Sequence, residues 1–555
     1  MSAVQPKLVY ADGSAVTRAH VNAVRNKASL TDGNPSPWAY DAGSMYSREV
    51  GDWNMFVRSP DNEINLDQER IRARSRDLDR NDGWASGTTT RKADALVGSN
   101  FHVVPMPNWR ALRRVAGPAF DASWAAEFRT AVMAEWRMIM EDPLFYCDAT
   151  RSMSGTQLFY QAVRHKLVDG EALGMPLWLP ERMGYGAARY ATALRMVDPD
   201  RLSNPNLGVD THSLRGGVEL NENMAPVAYH IRRAHQNDYY DAALSMIWDR
   251  FERQTAWGRP LVVHDFDRNR ADQHRGLGIF TSVLPLFRML AKHGQVSLQA
   301  ALMRTVYGFF IKSPMDAEQL REAMETSDDQ QEMKLSGYQM MRRNLGDQDL
   351  NMNGVKMPVL PPGDDIVNVQ TNGHADDFDA FQHSYLRNAA AGTDQSASDI
   401  SKDFSKLNYS SYRGEMLGVW RGVLRARSTF ATGFCTPIYV AYLEEMLARK
   451  YVPLPKDAPD FIAMRPAYSR CEWIGPGRGW VDPVKERQGE VLGLDAGFGT
   501  LRNTCADISG VWWQDAIDER VVEEQYMKAR GMTLPDWAGG QLVQASLMDE
   551  KPAPQ

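Results

Sequence analysis

Residues 282–311 read SVLPLFRMLAKHGQVSLQAALMRTVYGFFI, a helical pattern that begins just after Thr281. Pro285 does not interrupt it, because a proline in the first turn removes an N–H that the helix leaves unbonded anyway. At 1.5 Å per residue the segment is about 45 Å long, more than an ordinary globular helix. A polar, acidic insertion follows (MDAEQLREAMETSDDQQEM, 315–333), then GVKMPVLPPGDDIVNVQT (354–371), which reads as two short strands around a Pro-Pro-Gly turn. A second helix is expected from Asp376, its cap, to Ala391, with Phe378, Phe381, Tyr385 and Ala389 on one face and Gly392 ending it. The next stretch, TDQSASDISKDFSKLNYS (393–410), is about as long a structureless interval as a compact domain holds. From Ser411 to about Lys450 a third helical pattern carries an apolar stripe on Trp420, Leu424, Phe434, Ile438, Tyr442 and Met446. Gly433 and Pro437 predict a kink in this spine, which spans about 55–60 Å.

Upstream of these helices the character changes. Between 170 and 280, ALRMVDPDRL (193–202), GGVELNENMAPVAYHI (216–231) and RPLVVHDFD (259–267) are short apolar runs bounded by Pro, Gly, Asn and Asp, so this unit is β-rich. Residues 121–141 predict an amphipathic helix with Trp124, Phe128, Val132 and Trp136 at four-residue spacing and Asp121 as cap. From Leu66 to Val97 the helical pattern mixes Arg70, Arg72, Arg74, Arg76 and Arg80 with Asp67, Asp77, Asp79 and Asp82, which reads as a solvated helix face rather than a phosphate-binding strip. Residues 1–60 read as a partly ordered arm, about 483–537 as short helices separated by Gly and Thr, and the tail after Gly540 as frayed. The fold class is α+β, predominantly helical, and 555 residues make room for three to five structural units.

The charge balance bounds function. Sixty-three basic against 70 acidic side chains leave a net charge of -7, the wrong sign for a surface that grips DNA by releasing counterions. Cys147, Cys435, Cys471 and Cys505 lie far apart without a CxxC pair, so neither a disulfide scaffold nor a zinc ribbon is readable, and reduced thiols in a cytosolic setting are expected. No basic segment followed by an apolar run opens the chain and no long apolar run occurs, so neither an export signal nor a membrane span is expected.

Catalytic patterns fare no better. The dipeptide Gly-Lys is absent, which removes the lysine-bearing phosphate loop of a nucleotide-driven motor. His264, Asp265, Asp267, Asp272 and His274 form the strongest metal candidate, but their spacing matches neither a zincin helix nor a calcium loop, and an ordinary polar turn is the favoured reading. There is no GxSxG elbow, Cys435 sits in an apolar stretch as a small hydrophobe, and GPGRG (475–479) reads as a turn. No enzyme signature, cofactor site or catalytic residue survives.

The order of segments, however, carries a resemblance. RDLDRNDGWASG (76–87), DALVGSNF (94–101), MVDPDRLSNPN (196–206), GVELNENMAPVAYHI (217–231), HDFDRNRADQHRGLGIFTSVL (264–284), KMPVLPPGDDIVNVQT (356–371), LNYSSYRGEM (407–416) and CEWIGPGRGWVDPVKERQ (471–488) appear in this succession. The chain resembles the portal proteins of tailed bacteriophages, lambda-type family, over nearly its whole length. The amino-terminal arm and the loop between Asn237 and Arg259 do not share the resemblance, and nothing is transferred to them.

The resemblance implies a portal fold: an arm (1–60), a wing (61–280 and 410–481, with the spine), stem helices (281–312 and 375–392), a clip (313–374), a tunnel loop (393–409), a crown (482–540) and a flexible tail (541–555). It implies a closed homo-oligomeric ring, usually dodecameric, at a unique capsid vertex, assembled in the bacterial host cytoplasm and carrying double-stranded DNA inward in packaging and outward in ejection. Implied partners are the terminase large subunit, a head–tail adaptor, the major capsid and scaffold proteins, and DNA held weakly and without sequence preference. No membrane, metal or cofactor is implied. A lining of net negative or mixed charge would let the polyanion slide. Within the tunnel loop, Lys402 and Lys406 are candidates to touch phosphates, with Ser396, Ser398 and Ser401 adding neutral hydrogen bonds; a solvated loop is the alternative. Lys356, Asp364 and Asp365 are clip candidates for docking terminase or adaptor, and Trp420, Leu424, Phe434 and Ile438 for spine packing. Two competing readings are a metal-dependent hydrolase using His264, Asp267 and His274, and a capsid protein of another kind, such as a shell or tail subunit.

Overall fold

The computed structural model describes residues 52–53, 56–306, 375–405, 407–479 and 482–533, with the backbone of four short strands between 310 and 367; side chains are described to Gln299 and again from Ala380. The chain divides into residues 1–63 and a body from Ile64 onward. Described residues of the first piece include a helical turn that begins at Pro60.

Helices α1 (Gln68–Asn81) and α2 (Gly83–Leu96) open the body, and the Asp82 side chain caps α2 by accepting from Ala85 N at 2.9 Å. The arginine-rich face of α1 is not simply solvated, contrary to the sequence reading. Arg72 is buried against Glu171 at 2.6 Å, and Arg76 bonds Asp169 at 2.6 Å. Their partners lie about a hundred residues away, beyond anything helix periodicity reports.

Strand β1 (His102–Pro105) and helices α3 (Trp109–Ala116), α4 (Ala122–Met140) and α5 (Gly155–Val168) follow. Helix α4 matches its prediction: Asp121 accepts from Trp124 N at 2.8 Å, and Trp124, Phe128, Val132 and Trp136 are all buried. Helix α5 opens on a capping box between Ser154 and Gln157. The β-rich stretch forms two antiparallel sheets from β2 (Glu171–Trp178), β3 (Thr192–Val197), β4 (Leu214–Arg215), β5 (Val218–Leu220), β6 (Pro226–Arg232), β7 (Trp248–Glu252) and β8 (Val263–Phe266). Their orders are β3-β2-β8 and β4-β5-β6-β7, and Leu173, Val197, Val218, Tyr229 and Ile231 share one small core.

Helix α6 (Leu284–Val306) starts with Pro285 in its first turn, as expected. Four short strands follow: β9 (Phe310–Lys312), β10 (Leu350–Met352), β11 (Val355–Met357) and β12 (Asp365–Val367). The two strands flanking the Pro-Pro-Gly turn exist, but β11 pairs with β10 and β12 with β9, not with each other. Helix α7 (Ala375–Thr393) starts one residue before Asp376, which therefore lies inside its first turn and does not cap it. Gly392 does not end α7 either; it lies in the last turn, where an added Cβ would meet Val283 at 2.4 Å.

A short helix α8 (Ala397–Ser401) precedes the spine, which consists of α9 (Tyr409–Phe430), a π turn at Ala431–Cys435, and α10 (Thr436–Ala448). The predicted kink is this π turn, and Pro437 lies at the second position of α10, where the widened turn accommodates its ring. Gly433 stands in the π turn because Asp265 packs on it; an added Cβ would lie 2.0 Å from Oδ1. From Phe434 in the turn onward, Phe434, Ile438, Tyr439, Tyr442 and Met446 are fully buried among Phe101, Trp136 and Phe159. The first half of the spine departs from the expected packing: Trp420 is half-buried and Leu424 is 41% exposed. The apolar stripe is continuous in sequence, but α9 reaches past the core that covers α10.

Strand β13 (Cys471–Ile474) pairs with β1, and two further helices are α11 (Pro483–Asp495), capped by Asp482, and α12 (Trp513–Ala529). Helix α12 runs 17 residues without one buried side chain, longer than the short helices expected there. Among the described residues no helix is long and apolar enough to cross a membrane.

Candidate functional site

Helices α6 and α7 pack together through Leu290, Leu386 and Ala390, and Ile400 of α8 joins the same cluster. Phe381 meets His293 of α6 at 4.3 Å and Tyr385 of its own helix at 4.2 Å between ring centroids, and Ala389 joins Phe287 of α6 in another cluster, so Phe381 and Ala389 of the predicted face turn toward α6. The side chain of Phe378 lies outside the described residues. Elsewhere on α6, Met289, Val296 and Leu298 are more than half exposed.

The segment after α7 is not structureless. Asp394 (φ +54°) and Lys402 (φ +58°) take left-handed conformations on either side of α8. Ser396 caps α8 by accepting from Asp399 N at 3.0 Å, and its hydroxyl lies 3.0 Å from that of Ser398. Ser398 Oγ donates to Glu415 Oε2 on α9 at 2.7 Å. Both serines are buried in the subunit and engaged in internal bonds. Ser401, half-buried, accepts from Asp403 N at 3.2 Å. Lys402 is exposed, with its ammonium 6.0 Å above the Phe404 ring. Lys406 lies outside the described residues.

Two residues that seat this loop escaped the sequence reading. Glu415 holds Ser398, and Arg425 on α9 reaches Asp394 at 3.4 Å. Behind the loop, burial pulls the Lys92 ammonium below its ordinary range, opposed by the carboxylate of Asp394. Only the pattern Ser396-x-x-Asp399, a helix-start signal, was available to reveal α8.

In the candidate clip, Lys356 on β11 stands opposite Asn351, and Asp365 on β12 opposite Lys312. Asp364 and the side chains of Lys356 and Asp365 lie outside the described residues. In the spine, Phe434 and Ile438 are core residues, whereas Trp420 donates to Asp507 at 3.4 Å near the surface.

The residues proposed for a metal-dependent hydrolase do not assemble. His264 Nε2 lies 2.9 Å from Glu171, His274 Nε2 lies 3.0 Å from the Met224 carbonyl, and Asp267 pairs with Lys166 at 3.0 Å. Two other groups have metal-like spacing, His165/Asp169/Asp198 and Asp198/Asp200/His235, each with ligand atoms within 4.8 Å. The Arg76 guanidinium already occupies the position of a cation there, reaching Asp169 at 2.6 Å, Asp198 at 2.5 Å and Asp200 at 3.2 Å. Burial would raise the Asp198 carboxyl, but Arg76 and then His165 hold it down to about 2. The site is therefore an ion-paired clamp that fixes α1 on the sheets. The thiols fit no nucleophile: burial pushes Cys147 up to about 12 and Cys435 well above its ordinary range.

Comparison with known proteins identifies a family. The family described as phage portal protein, lambda family, matches residues 46–427. Portal protein B of Escherichia phage lambda is 28% identical over 503 residues, 90% of this chain and 91% of that one. The portal protein of Escherichia phage N15 is 29% identical over 503 residues, 90% of this chain and 92% of that one. Among solved structures, the neck of a native GTA particle computed with C12 symmetry is loosely similar, with 14% identity, TM-score 0.36 and coverage of 73% of this chain and 94% of that chain. The virion of a native gene transfer agent particle gives 14% identity, TM-score 0.39 and coverage of 75% and 98%.

Proposed function

The chain belongs to the lambda family of phage portal proteins, and from that premise we propose that its copies close into a non-enzymatic ring at one capsid vertex, with a bore that carries double-stranded DNA in packaging and ejection. The observation that carries this reading is the family match over residues 46–427, with two portal proteins alike over nine-tenths of the chain. The surfaces support it. Leu424 of α9, Val296 and Leu298 of α6, and Val521 and Val522 of α12 are apolar and exposed on elements that a lone subunit leaves uncovered. A helix such as α12, without one buried side chain, is marginal in water and gains stability when a neighbour covers it. A ring of identical subunits joined head to tail needs two different complementary faces on each.

In this reading α6 and α7 are the stem, residues 313–374 the clip that docks the terminase motor and the adaptor, 393–409 the tunnel loop, and 482–540 the crown. The ring belongs to the virion and is assembled in the host cytoplasm with scaffold and major capsid proteins. Twelve copies of a 62.5 kDa chain weigh about 750 kDa. Native mass spectrometry of the purified full chain tests the assembly: a narrow set of ring masses near that value is expected, and a chain that stays at 62.5 kDa overturns it.

Within the loop, Lys402 and Lys406 are the proposed phosphate contacts and Ser401 the remaining hydroxyl, since Ser396 and Ser398 are buried. Lysine–phosphate contacts are salt-sensitive and carry no sequence information, which suits DNA that must slide. Lys402→Ala/Lys406→Ala is expected to leave assembly intact and to release packaged DNA at lower salt than the wild type in a retention assay. Identical salt curves contradict this role.

A further inference from the structure

The loop between β6 and β7 carries Asp238-Tyr239-Tyr240-Asp241, and its exposure is unusual for aromatic residues. Tyr239 is 91% and Tyr240 92% exposed, their rings packed edge to face only on each other at 5.7 Å. Asp238 accepts from Tyr240 N at 3.1 Å, which fixes the tip of the loop, and Asp241 is exposed. Leu244, Met246 and Ile247 extend the apolar surface toward β7. Exposed, contiguous apolar surface of this kind marks an interaction site, and tyrosine presents both a large apolar ring and a hydroxyl to a partner.

A matching cavity lies past the other end of the same strand. It has a volume of about 300 Å³ and is lined by Tyr229, Val262 and Phe266 on one side and Pro437 and Val440 of the spine on another. Arg253 and Arg268 stand on it as exposed cations, Arg268 over the Phe266 ring at 5.1 Å, and no carboxylate is among the lining residues. Aromatic and aliphatic walls with two guanidiniums fit a tyrosine ring flanked by carboxylates, by area burial, cation–π attraction and ion pairing together.

The placement of the two features matters as much as their chemistry. The knob precedes Trp248 and Arg253 directly follows Glu252, so β7 holds them at opposite ends. A protrusion at one end of an element and its complement at the other is the arrangement that propagates head to tail between identical subunits.

We propose that the Asp238–Asp241 knob of one copy seats in the arginine-rimmed cavity of a second copy, the next one around the ring. The proposal rests on the ring reading and names one of its contacts. One such contact buries too little to hold a ring alone, because stable interfaces need roughly 1,600 Å²; its effect is on register and closure. The charges make the pairing selective, since like charges brought together at the rim oppose docking.

Charge reversal with rescue is the test. Arg253→Glu/Arg268→Glu and, separately, Asp238→Lys/Asp241→Lys are each expected to lower the yield of closed rings at least about tenfold, the consequence of 1.4 kcal/mol. All four changes together restore the yield to within about twofold of the wild type, because the two sites then pair with signs exchanged. Thermal melting of the unassembled subunits controls for folding and should not move. Rings unaffected by either reversal, or reversals that no combination rescues, overturn the contact while leaving the ring reading standing. Wild-type protein that never forms rings overturns both.

Discussion

Glu171→Ala is expected to lower the unfolding free energy of the body by about 3–5 kcal/mol, the usual cost of removing one partner from a buried ion pair. Glu171 is fully buried at the start of β2. Arg275 Nε lies 3.0 Å from both of its oxygens, Arg72 Nη2 lies 2.6 Å from one and His264 Nε2 2.9 Å from the other. Removing the carboxylate leaves two buried guanidiniums without their shared counter-charge, and the Leu202 carbonyl that Arg275 also reaches at 2.9 Å carries no charge to replace it. Urea denaturation at neutral pH reads the loss, and a change under about 1 kcal/mol would contradict the assignment.

The same group fixes an acid sensitivity. Burial alone would raise the Glu171 carboxyl, but Arg275, His264 and Arg72 outweigh it and hold it well below the ordinary carboxylate range. A carboxylate depressed in the folded state contributes stability that is fully present above its unfolded value, about 4.3, and is lost as pH falls further, through the folded value. The gap between wild type and Glu171→Ala should therefore hold at neutral pH and narrow on acidification below about pH 4.

Phe434→Ala is the second large effect, about 3–5 kcal/mol. Phe434 is fully buried within the π turn, stacked on Phe430 at 5.4 Å and set edge-on to Phe159 at 6.5 Å. Its ring also lies 2.9 Å from where a side chain on Gly174 would begin, so β2 and the spine close on each other through it. The cavity left by alanine cannot collapse between two elements fixed elsewhere. Leu424→Ala, ten residues earlier on the same sequence stripe, should change the isolated subunit by less than about 0.5 kcal/mol because its side chain is 41% exposed. In the assembled ring Leu424→Ala gains its effect from whatever neighbour covers it. Comparing the two variants as monomer and as assembly separates core from interface.

Those two residues also show what the sequence could and could not disclose. Periodicity identifies an apolar face, so Phe434 and Leu424 look alike in it, but only the fold tells which length of the face its own subunit covers. Local signals read well. Asp121 capping α4, Pro285 inside the first turn of α6, and Gly433 with Pro437 distorting the spine each depend on neighbours within a few residues. Ser396-x-x-Asp399 is equally local, and it starts α8 inside a stretch whose composition otherwise reads as structureless. Long-range pairing was invisible. Arg72 and Arg76 read as solvated helix charges because Glu171, at the start of β2, and Asp169 and Asp198, in the turns beside the strands, approach from a distance in sequence that no helix pattern encodes. The partners of β11 and β12 are not legible for the same reason, since short strands advertise their existence but not their register. The family resemblance rests on the order of elements and is silent on the Asn237–Arg259 loop, where the knob and half of its rim reside.

Electron-microscopic class averages of the purified full chain test the central claim most directly. Closed rings seen end on, with an axial hole wide enough for a DNA duplex, are the predicted result. Compact single particles without a hole, under conditions of salt and concentration that favour association, would contradict it.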